Sequence, residues 1–184
     1  MSRSRRGVLV VFAKAPEAGR VKTRLVPPFS PEQAAGLYAC LLGDVLEESA
    51  RAARALDLEL VLAAEPPEAM AALAAAAPRG LRVVAQRGPD LASRMRWALA
   101  EAAAAGSAPI LLRGSDSPTL DVELFRTALA RLEAADLVIC PDRDGGYSLV
   151  AMRRAHPGLF QHPMSTPSVL EDTLAEARRL GLRA

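Results

Sequence analysis

The chain has 184 residues, 51% of them apolar, enough for one well-buried domain and too few for two comfortable ones, so a single domain spanning residues 1–184 is expected. Lys plus Arg number 23 against 21 Asp plus Glu, which leaves no broad basic field and argues against nucleic acid as the main partner. No run is long enough to span a bilayer, and the apolar run before Lys14 is only about six residues, short of the roughly 7–15 of a secretory signal, so no membrane partner and a cytoplasmic location are expected. Cys40 and Cys140 lie far apart among apolar residues with no CxxC or Cys/His spacing, and read as buried free thiols.

The first element is a short Val/Leu run, Gly7 to Phe12, with the character of a buried strand. It leads into AKAPEAGRVKTRL, Ala13 to Leu25, which holds both of the chain's lysines, Lys14 and Lys22. Compact ammonium groups in a Gly- and Pro-containing loop just past a strand's C-terminal end suit a phosphate ligand. Walker spacing is absent, because Arg20 and Val21 separate Gly19 from Lys22-Thr23. The physics carries over all the same: Gly19 lets backbone amides approach phosphate oxygens, while Lys14, Lys22 and Arg24 add charge. A solvated turn is the alternative.

Pro31 to Leu56 reads as a long helix capped by Ser30, with an apolar stripe of Leu37, Cys40, Leu41, Val45 and Leu46. Leu58 to Ala63 is a strand, Pro67 to Ala76 an alanine-rich helix, and Leu81 to Gln86 a third strand. Asp90 caps a helix that runs to Ala105 and stops at Gly106; within it Met95 and Trp97 are assigned to the core. Ile110 to Leu112 is a wholly apolar strand entering GSDSP, and Thr119 or Asp121 starts the next helix, to Leu132. Leu137 to Cys140 and Tyr147 to Met152 are strands joined through PDRDGG, and Ser165 to Leu180 is the last helix. Strands alternating with helices of this length imply βαβ units and a mostly parallel sheet covered on both faces. The strand-turn-strand at DRDGGYSLVAM predicts an antiparallel or mixed edge.

Three groups of residues carry candidate chemistry. Asp116 in GSDSP follows a strand end, where it serves either as a metal ligand or as a helix cap; Thr119 and Asp121 are better-placed caps. A serine nucleophile at Ser115 is disfavoured because GxSxG would require glycine at Ser117. Asp142 and Asp144 follow another strand, with Gly145-Gly146 available for a tight turn, and Gly146 falls where a calcium loop needs its third ligand. Mg²⁺ or Mn²⁺ takes one or two protein carboxylates and completes its shell with water and phosphates, a demand that Asp116 plus Asp144 could meet. Arg94 lies in a first helical turn within reach of the same sheet edge, with a surface position as its alternative. His156 and His162 each precede proline and are expected to be exposed, with an acid/base or metal role for His162 as the alternative.

The motifs AKAPEAGRVKTRL, GPDLASRM, GSDSP, DRDGGYSLVAMRR and MSTPSVLEDTL, in this order and spacing from about Val8 to Leu182, resemble a bacterial family of small glycosyltransferase-A-like nucleotide-diphospho-sugar transferases. That family is associated with arsenosugar biosynthesis and is related to molybdopterin and phospholactate guanylyltransferases. The resemblance implies an α/β, three-layer αβα, Rossmann-like glycosyltransferase-A fold. It places Gly19, Lys22 and Arg24 at the nucleotide phosphates, Asp116 as metal-binding acid, and Asp144 with Gly145 and Gly146 on the sugar and metal side. Three positions depart from the family pattern: Ala18 replaces a usual proline, Ala92 a glycine and Met164 a tryptophan that would give an aromatic platform.

The expected activity is therefore metal-dependent transfer of a sugar from a nucleoside diphosphate sugar to a small-molecule acceptor. Lys14, Lys22, Arg24 and Arg94 would face the nucleotide, and Asp144 or Asp142 could serve as base. A nucleotidylyltransferase that releases pyrophosphate would use the same cations and metal, and a non-catalytic nucleotide-binding protein is the third reading. Sequence leaves the donor base, the acceptor and the oligomeric state open.

Overall fold

The computed structural model describes residues 6–184. Six strands, β1 (Gly7–Lys14), β2 (Leu58–Glu65), β3 (Arg82–Ala85), β4 (Ile110–Arg113), β5 (Leu137–Pro141) and β6 (Tyr147–Met152), form one sheet in the order β3-β2-β1-β4-β6-β5. The pairs β1–β2, β2–β3 and β1–β4 are parallel, while β6 is antiparallel to both β4 and β5. Five strands therefore share one direction. The β5 edge of the sheet is antiparallel, as the sequence suggested, and the reversed strand β6 lies between β5 and β4.

Alternation along the strands divides the core into two layers. From β1, Leu9, Val11 and Ala13 join Tyr38, Leu42, Val45 and Leu46 of α1 (Pro31–Ala55), Leu73 of α2 (Met70–Ala76) and Phe125 of α4 (Val122–Arg131). Val8 and Val10 pack on the opposite face with Met95 and Leu99 of α3 (Leu91–Ala104) and Ala177 of α5 (Val169–Arg179). The result is the three-layer αβα arrangement.

Local chemistry sets the helix starts. Ser30 accepts from the Gln33 amide while the Gln33 side chain accepts from the Ser30 amide, a full capping box with Pro31 behind it. Asp90 caps α3 through the Ser93 amide, and Asp121, not Thr119, caps α4 through the Leu124 amide. The α2 segment begins with a 3-10 turn at Pro67–Ala69, so its α-helical part is shorter than the sequence suggested.

Several expectations are corrected. The buried stripe of α1 is rotated to Tyr38, Leu42, Val45, Leu46 and Ser49, which leaves Leu37 and Cys40 exposed; Cys40 is not a buried thiol, and Cys140 is half-buried. Trp97 is 42% exposed and carries the Arg87 guanidinium 5.1 Å from its ring centroid, so it is a surface residue. The last helix begins at Val169, not Ser165: Ser165 has a left-handed backbone (φ 63°) and Pro167 follows, so residues 165–168 form a loop over the sheet edge. His156 and His162 are half-buried instead of exposed. Among the described residues, no helix is long and apolar enough to cross a membrane.

Candidate active site

The parallel strands deliver their C-terminal ends to one edge of the sheet, and the sheet order changes direction between β1 and β4. Open α/β sheets bind ligands at such a switch point. Here the edge carries the cationic loop after β1, Glu65 at the end of β2, Gln86 after β3, the Gly114–Asp116 turn after β4, Asp142 and Asp144 after β5, and Tyr147 at the start of β6.

Two adjoining hollows form one cleft along this edge. The first, of about 860 Å³, is lined by Lys14, Lys22, Arg24 and Arg94 together with Tyr38, Glu65, Gln86 and Asp116. The second, of about 510 Å³, is lined by Asp142, Asp144, Tyr147, Ser148 and Met164. Arg24, Gly114, Asp116 and Ser165 line both, so Asp116 stands at the border between a cationic half and an acidic half.

In the cationic half, Lys22 has a left-handed backbone (φ 49°, ψ 33°), and its Nζ lies 3.0 Å from Asp116 Oδ1 and 5.9 Å from the Tyr38 ring centroid. Tyr38 fixes this arrangement from α1. Its hydroxyl accepts from the Lys14 amide (3.1 Å) and pairs with Ser115 Oγ (2.7 Å), joining the loops after β1 and β4. Burial pushes the Tyr38 hydroxyl above its ordinary pKa, against the opposing effect of those hydrogen bonds. Arg94 is held by an ion pair to Glu65 and by donation from Nε to the Gly88 carbonyl (3.0 Å); Lys14 Nζ lies 4.0 Å from Glu65 Oε2. Among the described residues, Arg24 has no ion-pair partner. Gly19 has φ 75°, which glycine accommodates, but it does not line the cleft.

Behind Asp116, the buried Arg113 donates to Ser49 Oγ (3.1 Å), the Gly114 carbonyl (3.3 Å) and the Ser117 carbonyl (2.6 Å), and lies 5.6 Å from the Phe125 ring centroid. Burial pulls its guanidinium down to about 10, partly offset by Glu48. Arg113 thus braces the turn that presents Asp116 to solvent.

The acidic half is shaped by the hairpin turn. Asp144 Oδ1 accepts from the Gly146 amide (3.1 Å), and the Asp142 amide donates to the Gly146 carbonyl (2.9 Å). Gly145 has φ 86°, and a Cβ there would lie 2.0 Å from the Pro167 carbonyl oxygen; its own carbonyl accepts from the Leu170 amide (3.1 Å). The turn is thereby docked on the loop that precedes α5. Tyr147 Oη and His162 Nε2 lie 3.3 and 3.1 Å from Thr173 Oγ1, which is also 2.7 Å from the Val169 carbonyl oxygen. Burial pushes the Tyr147 hydroxyl up to about 12.

The cleft thus brings together Lys14, Lys22, Arg24, Arg94, Asp116 and Asp144, whereas Gly19 stays outside its lining. Sequence reasoning missed Glu65, Tyr38, Gln86 and Arg113. Glu65 and Arg113 follow from the strand-end rule already applied to Lys14, since each closes a parallel strand. Tyr38 would have followed from a correctly rotated α1 stripe. Gln86 donates to the Ala13 (3.1 Å) and Ala63 (2.8 Å) carbonyls, a role without a local sequence signal.

Among the described residues, no group of three or more His, Cys, Asp or Glu is arranged to hold a metal ion. Asp116 and Asp144 are exposed and line one hollow. This all-oxygen donor pair fits Mg²⁺ or Mn²⁺ completed by ligand phosphates and does not fit a zinc site.

Residues 48–166 match the sequence profile of a family described as an uncharacterized protein conserved in bacteria (DUF2064). No curated protein matches the chain. Among solved structures, a protein of Desulfovibrio desulfuricans G20, provisionally named a nucleotide-diphospho-sugar transferase, is 32% identical with a TM-score of 0.83, over 96% of this chain and 77% of its own. The 4-diphosphocytidyl-2C-methyl-D-erythritol synthase of Anaerococcus prevotii DSM 20548 is 13% identical with a TM-score of 0.58, over 94% of this chain and 85% of its own. Rv0371c of Mycobacterium tuberculosis H37Rv, solved in complex with manganese, is 21% identical with a TM-score of 0.55, over 90% of this chain and 80% of its own. The last two show the fold alone. With its profile match over more than half the chain and its similarity to the Desulfovibrio protein, the chain belongs to the DUF2064 family and has the mixed α/β fold of the nucleotide-diphospho-sugar transferases.

Proposed function

We propose that the protein is a transferase that holds the diphosphate of a nucleoside diphosphate sugar in the cationic half of the cleft and passes the sugar to a small acceptor in the acidic half. The observation that carries this reading is the border position of Asp116, which shares both hollows with Arg24 and has Lys22 on one side and Asp142 and Asp144 on the other. The name of the Desulfovibrio relative supports the same class of chemistry.

Lys22 and Arg24 would bind the diphosphate and stabilise the charge that builds on it as the bond to the sugar breaks. Arg94, braced by Glu65, would hold the nucleotide end in place. Mg²⁺ or Mn²⁺, held by Asp116 with Asp144, would supply Lewis-acid neutralisation of the diphosphate. Asp142, exposed and not given to the metal, would take the acceptor proton.

The test supplies Mn²⁺ with a panel of nucleoside diphosphate sugars and, separately, a panel of nucleoside triphosphates with phosphorylated acceptors. Release of nucleoside diphosphate from the first panel is the expected result. Pyrophosphate release from the second panel alone would assign the protein to nucleotidyl transfer instead.

A further inference from the structure

We infer that the acceptor carries no phosphate or carboxylate: the acidic half is built for an uncharged polyhydroxyl compound or one bearing an amine. The inference rests on the sugar-transfer reading and adds the charge class of its second substrate.

The charges around the 510 Å³ hollow decide the matter. Asp142 and Asp144 line it, are exposed, and have no ion-pair partner among the described residues. Two cations also line it, and neither is free for an acceptor. Arg113 is 2% exposed, with its N–H groups directed at Ser49, Gly114 and Ser117 oxygens. Arg24 stands at the border and belongs equally to the cationic half, where the diphosphate would engage it. With Asp144 given to the metal and the metal to the diphosphate, an anionic acceptor beyond Asp116 would still meet Asp142 and find no uncommitted cation among the residues that line the hollow, which is repulsive at any effective dielectric.

What the hollow offers instead is hydroxyl chemistry. Ser148 is only 6% exposed, and its Oγ has a single long contact, 3.5 Å to the Cys140 carbonyl, so a buried hydroxyl in the wall is poorly satisfied by the protein. Tyr147 lines the same hollow, and Met164 and Val169 supply apolar surface of the kind that packs against the C–H face of a sugar. An amine on the acceptor would gain the Asp142 carboxylate as a partner.

The experiment separates this inference from the reading beneath it. Backbone amide shifts are followed by NMR in metal-free protein, first with inorganic pyrophosphate, reported by Lys22 and Arg24. Glucose, glucosamine and glucose 6-phosphate are then titrated in turn and reported by residues 142–148. Glucosamine and glucose should shift residues 142–148, glucosamine at the lower concentration, with glucose 6-phosphate weaker by on the order of tenfold and the gap narrowing in high salt. Asp142→Asn should raise the glucosamine dissociation constant and narrow the same gap. Equal or tighter binding of glucose 6-phosphate at residues 142–148 overturns the inference, as does silence there from all three sugars. Failure of pyrophosphate to shift Lys22 and Arg24 counts against the cationic half alone, because the sugar titrations are read at other amides.

Discussion

Lys22 holds a backbone conformation that a side-chain-bearing residue adopts at a cost of ~1 kcal/mol or more, and its ammonium lies 3.0 Å from Asp116. That side chain, 22% exposed, is held at the cleft by Asp116 and the Tyr38 ring, where the proposed diphosphate would meet it. Lys22→Ala should therefore weaken nucleoside diphosphate binding by roughly tenfold or more, the scale of one charge-assisted contact, in a calorimetric titration. Lys22→Gly should lose the same affinity yet be no less stable in urea, because glycine relieves the strain. Asp116→Asn should lower turnover by about a hundredfold or more with secondary structure unchanged by circular dichroism. Activity in excess chelator equal to that with Mn²⁺ would remove the metal from the proposal. Tyr147 makes a separate claim on stability. Its folded pKa of about 12 exceeds the ordinary 10, so the folded state keeps that proton longer than the unfolded chain, and the associated stability is present below pH 10 and is lost as pH rises through 12. Tyr38 acts in the same direction, while Arg113, lowered to about 10, acts in the opposite one. The difference between wild type and Tyr147→Phe cancels both: urea melts at about pH 9 and pH 11 should show the variant losing less stability than wild type over that interval.

The β5–β6 hairpin positions the acidic half, and its tightest point is Gly145. A methyl group there meets the Pro167 carbonyl oxygen at 2.0 Å with φ at 86°, so the turn must leave either its conformation or its contact with the pre-α5 loop. Gly145→Ala should cost about 2–3 kcal/mol in chemical denaturation, and should impair the acidic half more than the cationic half, seen as acceptor KM rising while nucleoside diphosphate affinity holds. Sequence legibility divides along the same line. The alternation of strands and helices, the Ser30 and Asp90 caps and the positions of Lys22 and Asp116 past strand ends were legible, because local patterning and chain direction encode them, while the choice between Thr119 and Asp121 as the α4 cap was not. The start of α5 was not: SerThrPro reads as a helix opening, yet docking on Gly145 holds residues 165–168 as a loop. Trp97 was misplaced because helical periodicity tolerates a large ring at the edge of a stripe; its 42% exposure and the Arg87 contact show where it lies. Insertion of β6 between β4 and β5 depends on pairing between strands distant in sequence, which no local window contains.

Across the molecule, the sheet gathers the ends of β1, β2, β3, β4 and β5 at one edge, so the residues proposed to hold nucleotide and metal belong to different loops that meet only there. Lys22 and Asp116 satisfy each other across that meeting point, with side chains 22% and 67% exposed. A pair so open to water contributes little stability, and is readily exchanged. A divalent ion arriving alone must take Asp116 from Lys22, and a diphosphate arriving alone must take Lys22 from Asp116. Arriving together they break the pair once and gain both sets of contacts, so each should strengthen the other. The expected coupling is on the order of five- to a hundredfold, and linkage requires the same factor in both directions. Calorimetric titrations of Mn²⁺ with and without a nucleoside diphosphate, corrected for their complex in solution, measure one side of the cycle, and the converse titrations measure the other. Strictly additive affinities would show that the two ligands do not meet at Asp116. In Lys22→Ala, where no pair remains to be exchanged, the coupling should shrink but persist through direct contact between metal and phosphate; a coupling unchanged from wild type would show that the ion pair plays no part in it.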